Sequence, residues 1–399
     1  MTRPTPRDAV PEVLLVTNVP TPYRLPLFER LSAQLRAEGL RLTVVFSAEG
    51  YARRRWEVDL SACGFDHVVL ASEGRRVGRT SERTMFLFRG LAREVRARRP
   101  AALIVPGFSV ATVQAWWLSV TRGVPYLIWS GSTEGRFGSP WRTWLRSRLA
   151  RGAAAGVAYG SRAKAYLERL GLPPERVEIA VNTVDTSFFA EAVDAARRDA
   201  APDDGLQTLT YIGYLSRRKG VEKVFDVVQT LAQERDDVVL DVVGDGDERA
   251  ALEAYARAAG LADRVRFHGY QQREALPPFL ARSRGLLFQT DFDIWGLVLN
   301  EAMAAGVPCL ASVHAGATHD LVEDGVTGFA VDFADREAAA AKVRWLLDHP
   351  AEAAAMGQRA RRHVAAHASL EASAAGFVRA VLGALRRPAV VPREALQRA

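Results

Sequence analysis

Cysteine is nearly absent from this 399-residue chain: Cys63 and Cys309 stand alone, far apart and outside any CxxC spacing. That excludes a disulfide framework and a cysteine zinc site, and it suits a reducing compartment. Long apolar runs are missing as well. No stretch approaches the roughly 18 apolar residues of a membrane span. The opening MTRPTPRDAVPE has no apolar core of a secretion signal, so a cytoplasmic location is expected. Histidine is sparse: His314/His319 lack helical i,i+4 spacing, and His363/His367 have it but enclose no glutamate. No metal site is expected from them.

What remains is a soluble, globular composition, 48% hydrophobic, in a chain long enough to divide into two domains. Its formal charge of +7 is unevenly placed. Up to Asp185 there are 28 Lys+Arg against 16 Asp+Glu, or +12; the remainder has 25 against 30, or −5. A basic first half meeting something anionic and a merely solvated arginine-rich surface both fit this split. The arginines lack interleaved aromatics or a reading helix, so no nucleic acid partner is expected.

Short β-branched runs alternate with helical patterns throughout. VLLVT leads into YRLPLFERLSAQLRAEG, whose Leu27, Leu31 and Leu35 share a face before Gly39 stops it. LTVVF, DHVVL, AALIV, PYLIW and GVAYG follow, with Glu82 to Arg98 reading as helix. A second series, TLTYIG, VVLDVVG, RVRFHG, GLLFQT, VPCLAS and TGFAVD, begins after the Ala/Asp-rich stretch 190–205, which reads as a linker. The alternation predicts α/β architecture: two doubly wound Rossmann-like domains with parallel sheets, facing across a cleft. The expected boundaries are 1–189, 205–370, and a C-terminal helix in 371–399 that crosses back to the first domain.

Several motifs carry weak chemistry. VVGDGDERAALE has Gly244 and Gly246 but Arg249 where a dinucleotide fingerprint needs glycine, so it reads as a strand-to-helix turn. PGFSVATVQ approximates a nucleophile elbow at Ser109 but lacks the closing glycine, and reads as a helix start. The Asp-x-Asp spellings at Asp245/Asp247 and Asp291/Asp293 are too short to define a metal clamp.

Two segments say more. In YIGYLSRRKG a strand ends at Gly213, Ser216-Arg217-Arg218-Lys219 forms a basic loop, and Gly220 precedes a helix: an arrangement suited to phosphate. In DFDIWGLVLNEAMAAGVP, Asp293 stands at a helix mouth and Glu301 one to two turns inside it. The amides of Trp295, Gly296 and Leu297 lie between them as first-turn donors. A diphosphate capping these amides, flanked by carboxylates reaching hydroxyl groups, and an ordinary N-cap with a surface glutamate both fit this segment.

Together the segments settle the choice. The loop Gly213–Gly220 resembles the GRLxxxKG element of the retaining glycosyltransferases of family 4, and Asp293-x7-Glu301 resembles their E-x7-E motif. VVGDGDERAALE, DRVRFHGY, NEAMAAGVPCLAS and DLVEDGVTGFAV follow in the family's order, and VEIAVNTVDTSFF resembles its interdomain segment. TNVPTPYRLPLFERL resembles the start of a subgroup. The resemblance implies a GT-B fold, a nucleoside-diphosphate sugar as donor, no cofactor and no divalent metal. It implies that Lys219 and Arg218 meet the diphosphate and Glu301 the ribose. It further implies that Asp293 meets the transferred sugar, with Gly213 and the Trp295–Gly296–Leu297 backbone lining the donor site. Two departures stand out: Asp293 is one methylene shorter than the family's glutamate, and Tyr214 replaces its arginine, leaving Arg217 or Arg218 to compensate.

Acceptor contacts are expected from Tyr23, Arg24, Trp129, Ser130 and Glu134, with a glycan, a lipid-linked or a small-molecule acceptor. A nucleotide-sugar epimerase of the same architecture and a non-catalytic nucleotide-sugar-binding protein are the rival readings. In SPWRTWLRSRLARG, Trp141, Trp144, Leu145 and Leu149 share a face ringed by arginines. A helix packing that stripe on the sheet fits better than an interfacial helix. The latter would imply peripheral contact with an anionic membrane at its inner face.

Overall fold

The computed structural model describes residues 10–50, 58–70, 74–76, 84–133, 139–199 and 205–387. Two compact units emerge, residues 1–182 with 370–399, and residues 183–369.

The first unit is built on seven parallel strands: β1 (Glu12–Thr17), β2 (Arg41–Phe46), β3 (Asp66–Val69), β6 (Ala102–Pro106), β7 (Tyr126–Ser130), β8 (Ala155–Ala158) and β9 (Val177–Ile179). A separate antiparallel pair, β4 (Gly74–Arg76) and β5 (Thr84–Phe86), lies between β3 and β6 in sequence. The sheet order is β3-β2-β1-β6-β7-β8-β9. Its helices are α1 (Leu25–Ala37), α2 (Leu91–Arg98), α3 (Val110–Arg122), α4 (Pro140–Gly152), α5 (Ser161–Arg169) and, from the far end of the chain, the C-terminal Leu370–Leu385. The uniform burial of Val13 to Val16 follows from helices on both faces of the sheet. Leu27, Leu31 and Leu35 turn α1 onto that sheet, and Gly39 closes it at φ +73°.

The second unit holds β10 (Gln207–Ile212), β11 (Val238–Val243), β12 (Val265–Gly269), β13 (Gly285–Phe288), β14 (Cys309–Ser312) and β15 (Phe329–Val331), all parallel, in the order β12-β11-β10-β13-β14-β15. Around it pack α6 (Thr186–Arg198), α7 (Glu222–Ala232), α8 (Arg249–Ala258), α9 (Pro277–Arg282), α10 (Leu297–Ala304), α11 (Thr318–Leu321), α12 (Arg336–Asp348) and α13 (Pro350–His367). The helix Leu370–Leu385 of the first unit is α14. Residues 350–385 include an 18-residue window long and apolar enough by composition to cross a membrane, but 56% of that window is buried in the fold.

Three expectations change. Most of the stretch read as a linker is helical, because α6 runs to Arg198; its N-terminus is capped by Asp185, whose Oδ1 accepts from the Phe188 amide at 3.1 Å. Accordingly the first unit ends at Asn182 rather than near residue 189, and α6 belongs to the second. The helix read from Glu82 begins only at Leu91. Finally, α4 does not pack its tryptophans: Trp141 and Trp144 are 61% and 62% exposed, while Leu149 and Ala150 meet the protein.

Candidate active site

In a parallel sheet the strand order reverses at one point, and the loops leaving the two strands there diverge to opposite faces and open a crevice. In the second unit this point lies between β10 and β13. The loop after β10 carries the basic run, and the loop after β13 carries Asp291 to Gly296.

Lys219 and Asp293 meet across that crevice. Lys219 Nζ lies 2.6 Å from Asp293 Oδ2 and 5.6 Å from the centre of the Phe288 ring. Burial pushes the Asp293 carboxyl up. Lys219, the Trp295 amide and Arg218 outweigh it and hold the group below the usual carboxylate range. The backbone fixes both partners. A 3₁₀ turn over Arg217–Lys219 ends at Gly220, which adopts φ +53°. Asp293 is zipped to the loop after β14: its amide donates to the His314 carbonyl at 3.3 Å, and its carbonyl accepts from Gly316 at 3.0 Å. A Cβ on Gly316 would lie 2.1 Å from the Ile294 carbonyl oxygen, so glycine is required for this approach.

Along DFDIW the side chains alternate. Phe292 and Ile294 face solvent, while Trp295 is buried and its Nε1 donates to Asn300 Oδ1 at 3.0 Å. Asn300 is itself fully buried on α10, so the indole pins the loop to the helix that follows. Gly296 caps α10 at φ +108°, where an added Cβ would sit 2.2 Å from the Phe288 ring. The Trp295 amide is not free, because Asp293 Oδ1 accepts from it at 3.2 Å. Among the described residues, the amides of Gly296 and Leu297 have no acceptor. Of the three first-turn amides expected to be available to a diphosphate, two therefore have no protein acceptor among the described residues.

Glu301 lies on α10, half-buried but densely surrounded. Burial pushes its carboxyl up to about 7, with Arg273 pulling it back. Arg273, which motif reading missed, stacks its guanidinium 4.0 Å from the Phe188 ring centre and pairs with Asp185 at 3.2 Å. No local pattern in the sequence reveals it, since its partners sit roughly 85 residues upstream on α6.

The other expected donor residues divide. The Gly213 amide is committed to the Val243 carbonyl at 3.0 Å. The close approach here requires glycine at Gly244, where a Cβ would fall 1.9 Å from the Gly213 carbonyl oxygen; a Cβ on Gly213 itself would lie 3.0 Å from the Tyr211 hydroxyl. Arg217 and Arg218 are exposed, and Arg218 Nη1 donates to the Phe292 carbonyl, tying the basic loop to the acidic one. Tyr214 is 38% exposed. Ser109 starts α3, where its amide donates to Thr112 Oγ1 at 3.2 Å.

In the first unit, Trp129 and Ser130 are buried at the end of β7. Arg24 lies 4.5 Å from the Trp129 ring centre and 5.6 Å from that of Tyr23. Glu134 lies outside the described residues. No group of three His, Cys, Asp or Glu side chains converges among the described residues.

Two Rossmann-like units with parallel sheets define the GT-B class of glycosyltransferases. The crystal structure of Anabaena HepE in complex with UDP shares this fold, with a TM-score of 0.74 at 18% identity over 93% of this chain and 99% of that one. Residues 193–363 match the family described as Glycosyl transferases group 1, and residues 27–188 match Glycosyltransferase Family 4. The chain belongs to this group 1 / family 4 of glycosyltransferases. Among curated relatives, alpha-D-kanosaminyltransferase of Streptomyces kanamyceticus is 28% identical over 71% of this chain and 76% of that protein. The GDP-mannose-dependent alpha-(1-6)-phosphatidylinositol monomannoside mannosyltransferase of Mycolicibacterium smegmatis is 34% identical over 45% of this chain and 49% of that protein.

Proposed function

We propose that the protein transfers a sugar from a nucleoside-diphosphate sugar with retention of anomeric configuration and without a divalent metal. The observation that carries this reading is the Lys219–Asp293 pair beside the free amides of Gly296 and Leu297. The donor diphosphate takes over Lys219 and caps those amides, leaving Asp293 to receive the transferred sugar. Glu301 accepts from the ribose hydroxyls. The bond from the anomeric carbon to the leaving phosphate oxygen breaks, and the acceptor oxygen bonds the same face of that carbon. The acceptor proton passes to the leaving phosphate. Negative charge grows on the diphosphate as this happens, so a fixed ammonium and oriented amides stabilise the transition state more than the bound donor.

A panel of nucleoside diphosphates, read by thermal stabilisation, identifies the donor base. Turnover of the matching nucleotide sugar is expected to persist in excess EDTA. A strict requirement for manganese or magnesium would sink the metal-independent reading.

The acceptor is a glycan, a lipid-linked sugar or a small molecule. Exposed Trp141 and Trp144, with Arg142 and Arg148 each 5.6 Å from one of their ring centres, favour an acceptor presented at an anionic lipid surface. Co-sedimentation with phosphatidylglycerol vesicles is expected, with loss in the Trp141→Ala/Trp144→Ala double variant. Equal sedimentation of wild type and variant would return α4 to an ordinary solvated helix.

A further inference from the structure

Both units place a cation in the loop after the first strand of the sheet, beside the point where strand order reverses. In the second unit it is Lys219 after β10. In the first it is Arg24, which ends the loop after β1 and caps α1, with the reversal lying between β1 and β6. The two cations differ in one respect. Lys219 has a carboxylate at 2.6 Å, whereas among the described residues no carboxylate lies within ion-pair distance of Arg24.

Its surroundings are aromatic. The guanidinium lies 4.5 Å from the centre of Trp129, and Nη2 donates to the Tyr159 hydroxyl at 2.8 Å. Trp129 and Tyr159 in turn pack with ring centres 5.6 Å apart, so the cation is held in a fixed place. Among the described residues, Nε is sealed from solvent without an acceptor, and no protein group accepts from Nη1. The Tyr159 oxygen accepts from Arg24, and its own proton has no acceptor among the described residues.

Two buried hydroxyls near the same loop, Thr21 Oγ1 and Ser47 Oγ, also lack partners among the described residues. Ser47 is tied to the loop's start, its amide donating to the Thr17 and Asn18 carbonyls. A partly desolvated cation without a counter-ion is unfavourable, and a cluster of unmet donors marks a place where a ligand completes the structure.

We propose that Arg24, supported by Tyr159, binds an anionic group of the acceptor, a phosphate or a carboxylate. The proposal rests on the reading of the protein as a sugar transferase and deepens it: the acceptor carries negative charge. A guanidinium with a free edge suits an oxyanion, and the aromatic floor keeps that edge aimed without neutralising it. The excess of basic residues up to and including Asp185, +12 in net charge, would draw such an acceptor to this unit.

The test uses the full chain carrying Lys219→Ala, which weakens the diphosphate site proposed in the second unit. Inorganic phosphate and acetate are titrated separately at constant ionic strength, with binding read by thermal shift and calorimetry. Saturable binding of at least one anion is expected. Adding Arg24→Met should weaken it by roughly tenfold or more, and adding Tyr159→Phe by a smaller factor. Adding Arg24→Lys guards against a folding defect: it keeps the charge but loses the planar donor pair, so its affinity should fall between those of the Lys219→Ala parent and the Arg24→Met variant. A response to phosphate alone assigns a phosphorylated acceptor, and a response to acetate alone assigns an acidic sugar or other carboxylate. Absence of saturable binding, or equal binding with and without Arg24, overturns the proposal. Failure of wild type to bind any nucleoside diphosphate would instead overturn the donor reading, and leaves this titration readable.

Discussion

Lys219→Ala is expected to lower turnover by at least about 100-fold at saturating donor, a loss of roughly 3 kcal/mol in transition-state stabilisation. In the proposed mechanism the leaving diphosphate gains negative charge as the glycosidic bond breaks, and Lys219, held by Gly220 and the 3₁₀ turn beside Asp293, is the cation that meets it. Removing it also leaves the Asp293 carboxylate without its 2.6 Å partner, which costs stability on its own. The double variant Lys219→Ala/Asp293→Asn separates the two effects: its melting temperature recovers while turnover stays low. Arg218→Ala is expected to lose a similar or smaller amount, because its side chain ties the loop to the Phe292 carbonyl. Arg217→Ala, on an exposed side chain, should remain within a few-fold of wild type. Near-normal turnover in Lys219→Ala would remove the lysine from the mechanism.

Glu301→Ala is expected to weaken nucleoside diphosphate binding by about 10- to 100-fold, the loss of a charged acceptor for hydroxyl donors. The environment of Glu301 adds a pH signature. Its folded pKa is raised to about 7 from an ordinary 4.5, chiefly by burial. The folded protein therefore holds a proton that the unfolded chain releases. That stabilisation is fully present below 4.5 and is lost as pH rises through about 7. In the proposed role, ribose hydroxyls donate to the opposite form, the carboxylate. Nucleotide affinity should thus rise with pH through about 7 in wild type and stay flat in Glu301→Gln. Matched titrations with ribo- and 2′-deoxyribonucleoside diphosphates give the check. Discrimination that survives Glu301→Ala would place the ribose elsewhere.

Much of the candidate site's geometry was legible because it is local. Gly296 and Gly220 mark the backbone turns, and the basic and acidic loops each lie in one continuous stretch. The fold class was legible from strand and helix alternation for the same reason. Other features depended on contacts between distant residues. The Trp295 amide looks like a free helix donor until Asp293 folds back onto it. Arg273 reaches Glu301 and Asp185 only because α6 and α10 pack with the segment before α9. The supposed linker is helical because alanine, common there, is the strongest helix former, so composition misled where periodicity was the better guide. In α4, an apolar stripe among arginines has the same pattern whether it faces a core or water. Packing alone decided that Trp141 and Trp144 face out.

The placement of α14 has a consequence for synthesis. Phe377 and Val381 of this helix are fully buried in the first unit's core, and Phe377 packs 5.2 Å from the ring centre of Trp129. The second unit, by contrast, is continuous from Thr183 to Ser369. As the chain leaves the ribosome, every residue of the second unit is available before the first unit receives its last helix. The usual N-terminal-first order is thereby reversed at the final step. The half that begins first is sealed last, with its apolar sheet face waiting for residues 370–385. A chain stalled before α14 would carry a finished second unit joined to an open, aggregation-prone first one.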